Sequence, residues 1–107
     1  FQENVSVLVE DLAEPLSLQE CFQSSLTAME RILTDFAVSE WGESTIGGKG
    51  ARWVVFTHTM GEFDLKVLQY LIVRDEQLYA ITCSATVSDF AKYRKRFETI
   101  VSTFRLE

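Results

Sequence analysis

The stretch Thr45–Val73, TIGGKGARWVVFTHTMGEFDLKVLQYLIV, decides the fold. With Leu78–Phe90 (LYAITCSATVSDF) and Tyr93–Leu106 (YRKRFETIVSTFRL) it reads as three sheet-forming segments joined by tight turns, then one amphipathic helix. The turns fall at Gly47-Gly48, Met60-Gly61 and Asp75-Glu76, and at the first of them glycine most simply supplies a positive φ. This run predicts strands over 50–59, 63–73 and 77–86. Tight turns set the register, and the register sorts the side chains onto two faces. One face collects Trp53, Val55, Leu68, Tyr70, Ile72, Tyr79, Ile81 and Cys83. The other collects Val54, Phe56, Phe63, Leu65, Val67 and Leu71, interrupted by Arg52, His58, Gln69, Thr82, Ser84 and Thr86.

Upstream, Val5, Val7 and Val9 alternate and predict a strand over 4–10, ended by Asp11–Pro15. Ser17 followed by Glu20 makes a capping box, and Leu18, Phe22, Leu26, Met29, Ile32 and Leu33 form a helical stripe. A helix is therefore expected over 17–34, and a strand over 36–45. Downstream, Ser88 reads as the cap of a helix over 88–103, with Asp89 at its positive end. Phe90, Tyr93, Phe97, Ile100, Val101 and Phe104 give that helix its apolar face. The expected fold class is α+β: an antiparallel sheet of five strands flanked by two amphipathic helices, in the order β-α-β-β-β-β-α. Two helices of this length suffice to cover one face, leaving part of the other open.

A chain of 107 residues makes a single domain, 1–107, with one modest core. No apolar run approaches the roughly 20 residues that span a bilayer, so this segment is not expected to insert. The net charge of −6 disfavours nucleic acid and anionic membrane as partners. Its placement is uneven: residues 1–50 hold nine acids against Arg31 and Lys49, whereas 51–107 hold eight bases against seven acids. The local cluster Lys92, Arg94, Lys95, Arg96 lies off the apolar stripe and reads as a solvated helix face before a docking patch.

Few residues carry chemistry. His58 is the single histidine, so no metal cluster is expected, and a hydrogen-bonded role fits it better than a catalytic base. Cys21 and Cys83 read as two small core residues, although an even count permits a disulfide. GGKG at 47–50 precedes a strand and lacks phosphate-loop spacing. Glu62 and Asp64 look like a solvated strand end, and Trp41 and Trp53 like packing aromatics. No catalytic residue, cofactor or metal is assigned, and an enzyme is not expected.

NVSVLVEDL, the helix after it, GGKGARWVVFTHTMGEFDLKVLQYLIV, YAITCSAT and FAKYRKRFETIVSTFRL together resemble the DcrB/PsbP-like group of the Mog/PsbP fold. Gly48 with Ala51, Leu68-Gln69, Tyr79–Thr86 and Ile100–Arg105 carry the likeness most strongly. The family's opening strands around a Gly-Trp pair are missing, which implies a trimmed N-terminus that could bear a lipid anchor. The resemblance implies non-enzymatic roles: a photosystem II extrinsic subunit, a Ran-binding protein, envelope lipoproteins, chaperones for type VI secretion effectors. Fold analogy does not choose among them.

The function expected is a binding or assembly module, with an effector chaperone or adaptor and a small-ligand carrier as alternatives. Its expected partner is a protein, and its compartment the cell envelope or periplasm before the cytoplasm. The candidate partner surface is the mixed face: Arg52, Phe56, His58, Val67, Gln69, Leu71, Thr82 and Ser84. A homodimer through an edge strand is a further expectation.

Overall fold

The computed structural model describes residues 1–106. Its elements are β1 (Asn4–Asp11), α1 (Leu18–Ile32), β2 (Thr34–Ile46), β3 (Lys49–Met60), β4 (Phe63–Arg74), β5 (Gln77–Thr86) and α2 (Phe90–Ser102). The strands form one antiparallel sheet in the order β1-β5-β4-β3-β2. Three successive hairpins build β2 to β5, and β1 returns beside β5 at the far edge.

Local chemistry explains most boundaries. Ser17 Oγ accepts from the Glu20 amide at 3.1 Å, and the Ser17 amide donates to Glu20 Oε1 at 2.9 Å, so the capping box opens α1. The bond from the Ser17 amide, with the Ser17 hydroxyl beside it, favours the ionised Glu20 carboxyl and holds it below its ordinary pKa. The helix stops at Ile32, two residues before the expected end at 34, because Leu33 turns extended, at φ −94° and ψ 139°. Gly47 and Gly48, at φ 56° and 81°, close the β2–β3 hairpin in the left-handed region, where side chains are disfavoured.

Ser88 is not the cap of α2. Asp89 occupies that position without a side-chain cap bond, and Ser88 Oγ instead lies 3.3 Å from Thr86 Oγ1. What holds this helix is its apolar stripe together with Arg94, whose guanidinium donates to both Glu40 carboxylate oxygens on β2, at 2.8 and 3.1 Å. That contact holds the Glu40 carboxyl below its ordinary range.

The helices do not share a face. The α2 residues Phe90, Phe97 and Val101 pack on Val55, Leu68, Tyr70, Ile72, Ile81 and Cys83. On the opposite side, Cys21 and Phe22 of α1 pack on Val54, Phe56, Val67, Leu71 and Leu78. The sheet is thus the middle layer of three, and both faces were apolar enough to need a cover. Cys21 and Cys83 sit in different layers as free, buried thiols, and burial pushes Cys83 up to about 12.

Candidate functional site

The covering helix changes what the mixed face can do. Phe56, Val67 and Leu71 lie beneath α1 at 3%, 2% and 2% exposure, so they are core and not a solvent-facing surface. The polar residues of that face are parted by the helix. Arg52 emerges on one side, Gln69 and Thr82 on the other, and His58 at the end of the sheet.

On the first side, Arg52 is opposite Glu43 across β2–β3 and forms a 3.1 Å ion pair with it. Its guanidinium also meets Gln19 Oε1 at 3.3 Å and lies over the Phe22 ring, 5.7 Å from the centroid. Trp41 stands beside it, 61% exposed, its ring tilted against Phe22. These residues, with Gln23 and Leu26, line a cleft of about 170 Å³. Arg52 is fully engaged inside the protein, whereas Trp41 offers its indole outward. Trp53, the other tryptophan, is turned inward and packs on the α2-side core, lying across Gly42, its direct partner on β2.

On the second side, α1 and β1 stand apart as two walls of a groove. Its lining includes Leu8 and Glu10 of β1 and Ser25, Ala28, Met29 and Ile32 of α1. Gln69, Leu71, Leu78 and Ala80 form its floor, and the volume is about 320 Å³. A second hollow of about 280 Å³ shares Glu10, Ser25, Ala28 and Leu78 and extends the groove past Leu12 and Leu16. Leu8 and Ile32 are 65% and 75% exposed, and small Ser25 and Ala28 keep the helix wall low. Gln69 Nε2 donates to Thr82 Oγ1 at 3.1 Å, which satisfies both groups in the half-buried floor. Ser84 lies between Asn4 and Val67 in the sheet register, toward the same edge.

At the sheet end, Asp35, Thr57, His58, Thr59, Asp64 and Val87 border an open hollow of about 420 Å³. Thr59 Oγ1 lies 3.0 Å from Asp35 Oδ2 and 3.1 Å from Asp64 Oδ1. A hydroxyl carries one proton, so one carboxylate receives it at a time. His58 leans on the Phe56 ring, and partial burial lowers its pKa, favouring the neutral ring at pH 7. Its ring nitrogens are not bonded to these carboxylates or hydroxyls, so the hollow lacks the base–orienter geometry of a nucleophilic site.

Sequence reasoning missed Leu8, Ile32 and Trp41 as surface residues. Ile32 belongs to the apolar stripe of its helix, Leu8 falls between the alternating valines of β1, and Trp41 reads as a packing aromatic; none of these patterns tells a covered position from an open one. Among the described residues no helix is long and apolar enough to cross a membrane, and no cluster of three His, Cys, Asp or Glu side chains gathers at metal-ligand range.

Known proteins share this architecture. Protein PA94 of Pseudomonas aeruginosa, whose own function is unknown, superposes with a TM-score of 0.79 at 14% identity, over 100% of this chain and 85% of that one. CyanoP, the cyanobacterial PsbP of Synechocystis, gives 0.73 at 13% identity, over 98% of this chain and 68% of its own. LpqN of Mycobacterium tuberculosis, involved in cell envelope biogenesis, gives 0.75 at 12% identity over 95% of this chain, which spans 61% of LpqN. At such identities these likenesses establish the fold alone. No curated protein matches the chain by sequence. The PsbP family model, however, matches residues 2–106. Sheet, helices and near full-length match agree, and the chain belongs to the PsbP family.

Proposed function

We propose that this domain is a non-catalytic accessory module that holds a protein partner along the groove between α1 and β1. The observation that carries the reading is the pairing of Leu8 and Ile32, large apolar side chains left exposed on facing walls of one groove. Apolar surface with a polar rim marks a partner site. Here the rim is Glu10, Ser25 and the hydrogen-bonded Gln69–Thr82 pair. Family membership supports an accessory role, and the envelope connection of LpqN supports a location outside the cytoplasm. Carriage of a small ligand has less support, because the hollows are open clefts and Trp53 and Tyr70 are packed into the core.

Two surface substitutions test this. Leu8→Glu and Ile32→Glu should abolish capture of a partner from the native host while the melting temperature changes little. That partner, once identified, should bind purified wild-type domain and fail to bind either variant. Equal binding by wild type and both variants refutes the reading.

A further inference from the structure

On the flank of α1 away from β1, the middle of the chain builds a second site from α1, β2 and β3. Trp41 stands out there, well exposed although tryptophan is on average a highly buried residue type. The register sets it opposite Val54, on the α1 side of the sheet, with Glu43 two residues on and opposite Arg52. Against the indole lies Phe22, a core residue, with ring centroids 6.4 Å apart and planes tilted by 48°. The platform is thus backed by the core and keeps its orientation without a ligand.

Polar groups beside it are ordered by one guanidinium nitrogen. Arg52 Nη2 donates to Gln19 Oε1 at 3.3 Å and pairs with Glu43 Oε1 at 3.1 Å. Each partner keeps a second atom for a ligand: the Gln19 amide nitrogen as a donor, and Glu43 Oε2 as an acceptor. The Glu43 side chain is 71% exposed, which leaves that oxygen open to solvent. Arg52 borders two hollows at once. One is the cleft of about 170 Å³ beside Trp41 and Gln23, and the other, of about 270 Å³, includes Gln19, Glu43 and Ser44. They meet at Arg52 as one open trough.

Chemistry selects the ligand. Arg52 and Glu43 neutralise each other, and no other charged side chain lines either hollow. An anion would meet Glu43 and a cation would meet Arg52, so neither gains from entering. What fits is neutral, with an apolar face for the indole and hydrogen-bonding groups around its edge. A pyranose chair has that form. Its axial C–H bonds suit the negative face of an aromatic ring, and its equatorial hydroxyls radiate outward, each both donor and acceptor. Neighbouring hydroxyls can donate to Glu43 Oε2 and accept from the Gln19 amide. We infer that the trough binds a neutral oligosaccharide of gluco configuration, one ring stacked on Trp41 and the next hydrogen-bonded to Glu43 and Gln19. An open trough does not enclose a small molecule, but it suits a glycan chain lying across it. The site is separate from the α1–β1 groove and stands whether or not a protein binds there.

The test titrates isotope-labelled protein with cellohexaose and, separately, with maltohexaose. At least one should shift the Trp41 indole N–H and the Gln19 side-chain amide, while the inward-packed Trp53 stays unmoved. Trp41→Ala should weaken binding at least about tenfold, and Trp41→Tyr, which restores an aromatic face, should hold it within about threefold of wild type. Glu43→Gln should weaken it about fivefold, because a charged acceptor is lost. Raising salt from about 0.05 to about 0.5 M should leave the affinity unchanged, since the ligand carries no charge. On wild-type protein, fully O-methylated cellohexaose or maltohexaose, which lacks hydroxyl donors, should bind at least about tenfold more weakly than its parent sugar, whatever the variants do to folding.

Absence of shifts with both sugars up to about 10 mM overturns the inference. So does unchanged affinity in Trp41→Ala, or equal binding of the methylated sugar. Shifts at Trp41 produced by a blocked neutral peptide of proline and serine, with none from either sugar, assign the trough to protein contact and likewise overturn it.

Discussion

Leu71→Ala decides between the two roles open to the mixed face, and its magnitude can be worked from the structure. Leu71 sits on β4 beneath α1, almost wholly excluded from solvent, in one cluster with Cys21, Phe22, Val54, Phe56 and Val67. Truncation to alanine removes three carbons, worth about 2.4 kcal/mol in transfer at about 0.8 kcal/mol each. A residual cavity adds about 24 cal/mol per Å³ that the surroundings fail to fill. Leu71 also borders the α1–β1 groove, so the helix has room to settle and the cavity stays small. The expected loss is about 3 kcal/mol, within the range for buried leucines. For a chain of this size that lowers the melting temperature by about 12–24 °C. The assay is paired thermal and urea denaturation, with Ile32→Ala as the exposed control, expected to shift stability by less than about 0.5 kcal/mol. A loss below about 1 kcal/mol for Leu71→Ala, matching that control, refutes the packing of α1 over this face.

Gly42→Ala should destabilise the β2–β3 pair and alter Trp53 fluorescence, because an added Cβ would stand 2.7 Å from the indole; an unchanged spectrum and melt refute that close approach. Cys83 has a folded-state pKa of about 12, above the ordinary thiol value, so the buried thiol is favoured protonated. Its contribution is complete below pH 9 and is lost as pH rises from about 9 to about 12. Cys83→Ala should therefore lessen the alkaline loss of stability in that window, measured by urea titration across pH, and native Cys83 should resist thiol reagents at pH 8. Rapid labelling without unfolding refutes it.

The order of elements was legible in the chain because each rests on short-range physics. Alternating residues from Trp53 to Cys83 define strands, and the glycine pair at 47 and 48 defines a hairpin. Ser17 with Glu20 opens a helix through bonds between neighbours. Ser88 illustrates the limit, since its hydroxyl had a closer option in Thr86 than the helix end. The Glu40–Arg94 contact joins residues 54 apart, and nothing local announces it. The candidate surface was legible in its register and not in its exposure. Gln69 and Thr82 do face the same way as Val67 and Leu71, yet one helix makes the latter pair core and leaves the former beside a groove.

By itself, then, the sequence determined the strands, their turns, the two faces of the sheet and the amphipathic character of both helices. Tertiary structure alone decided that α1 and α2 take opposite faces, that β2 is slipped and tied to α2, and that Leu8 and Ile32 line the same groove. The physical reason is that an apolar stripe specifies the need for burial and not its location. Val54, Phe56, Val67 and Leu71 offer α1 a surface as apolar as the one Val55, Leu68, Tyr70 and Ile72 offer α2. Which helix meets which face is settled by the path of the whole chain.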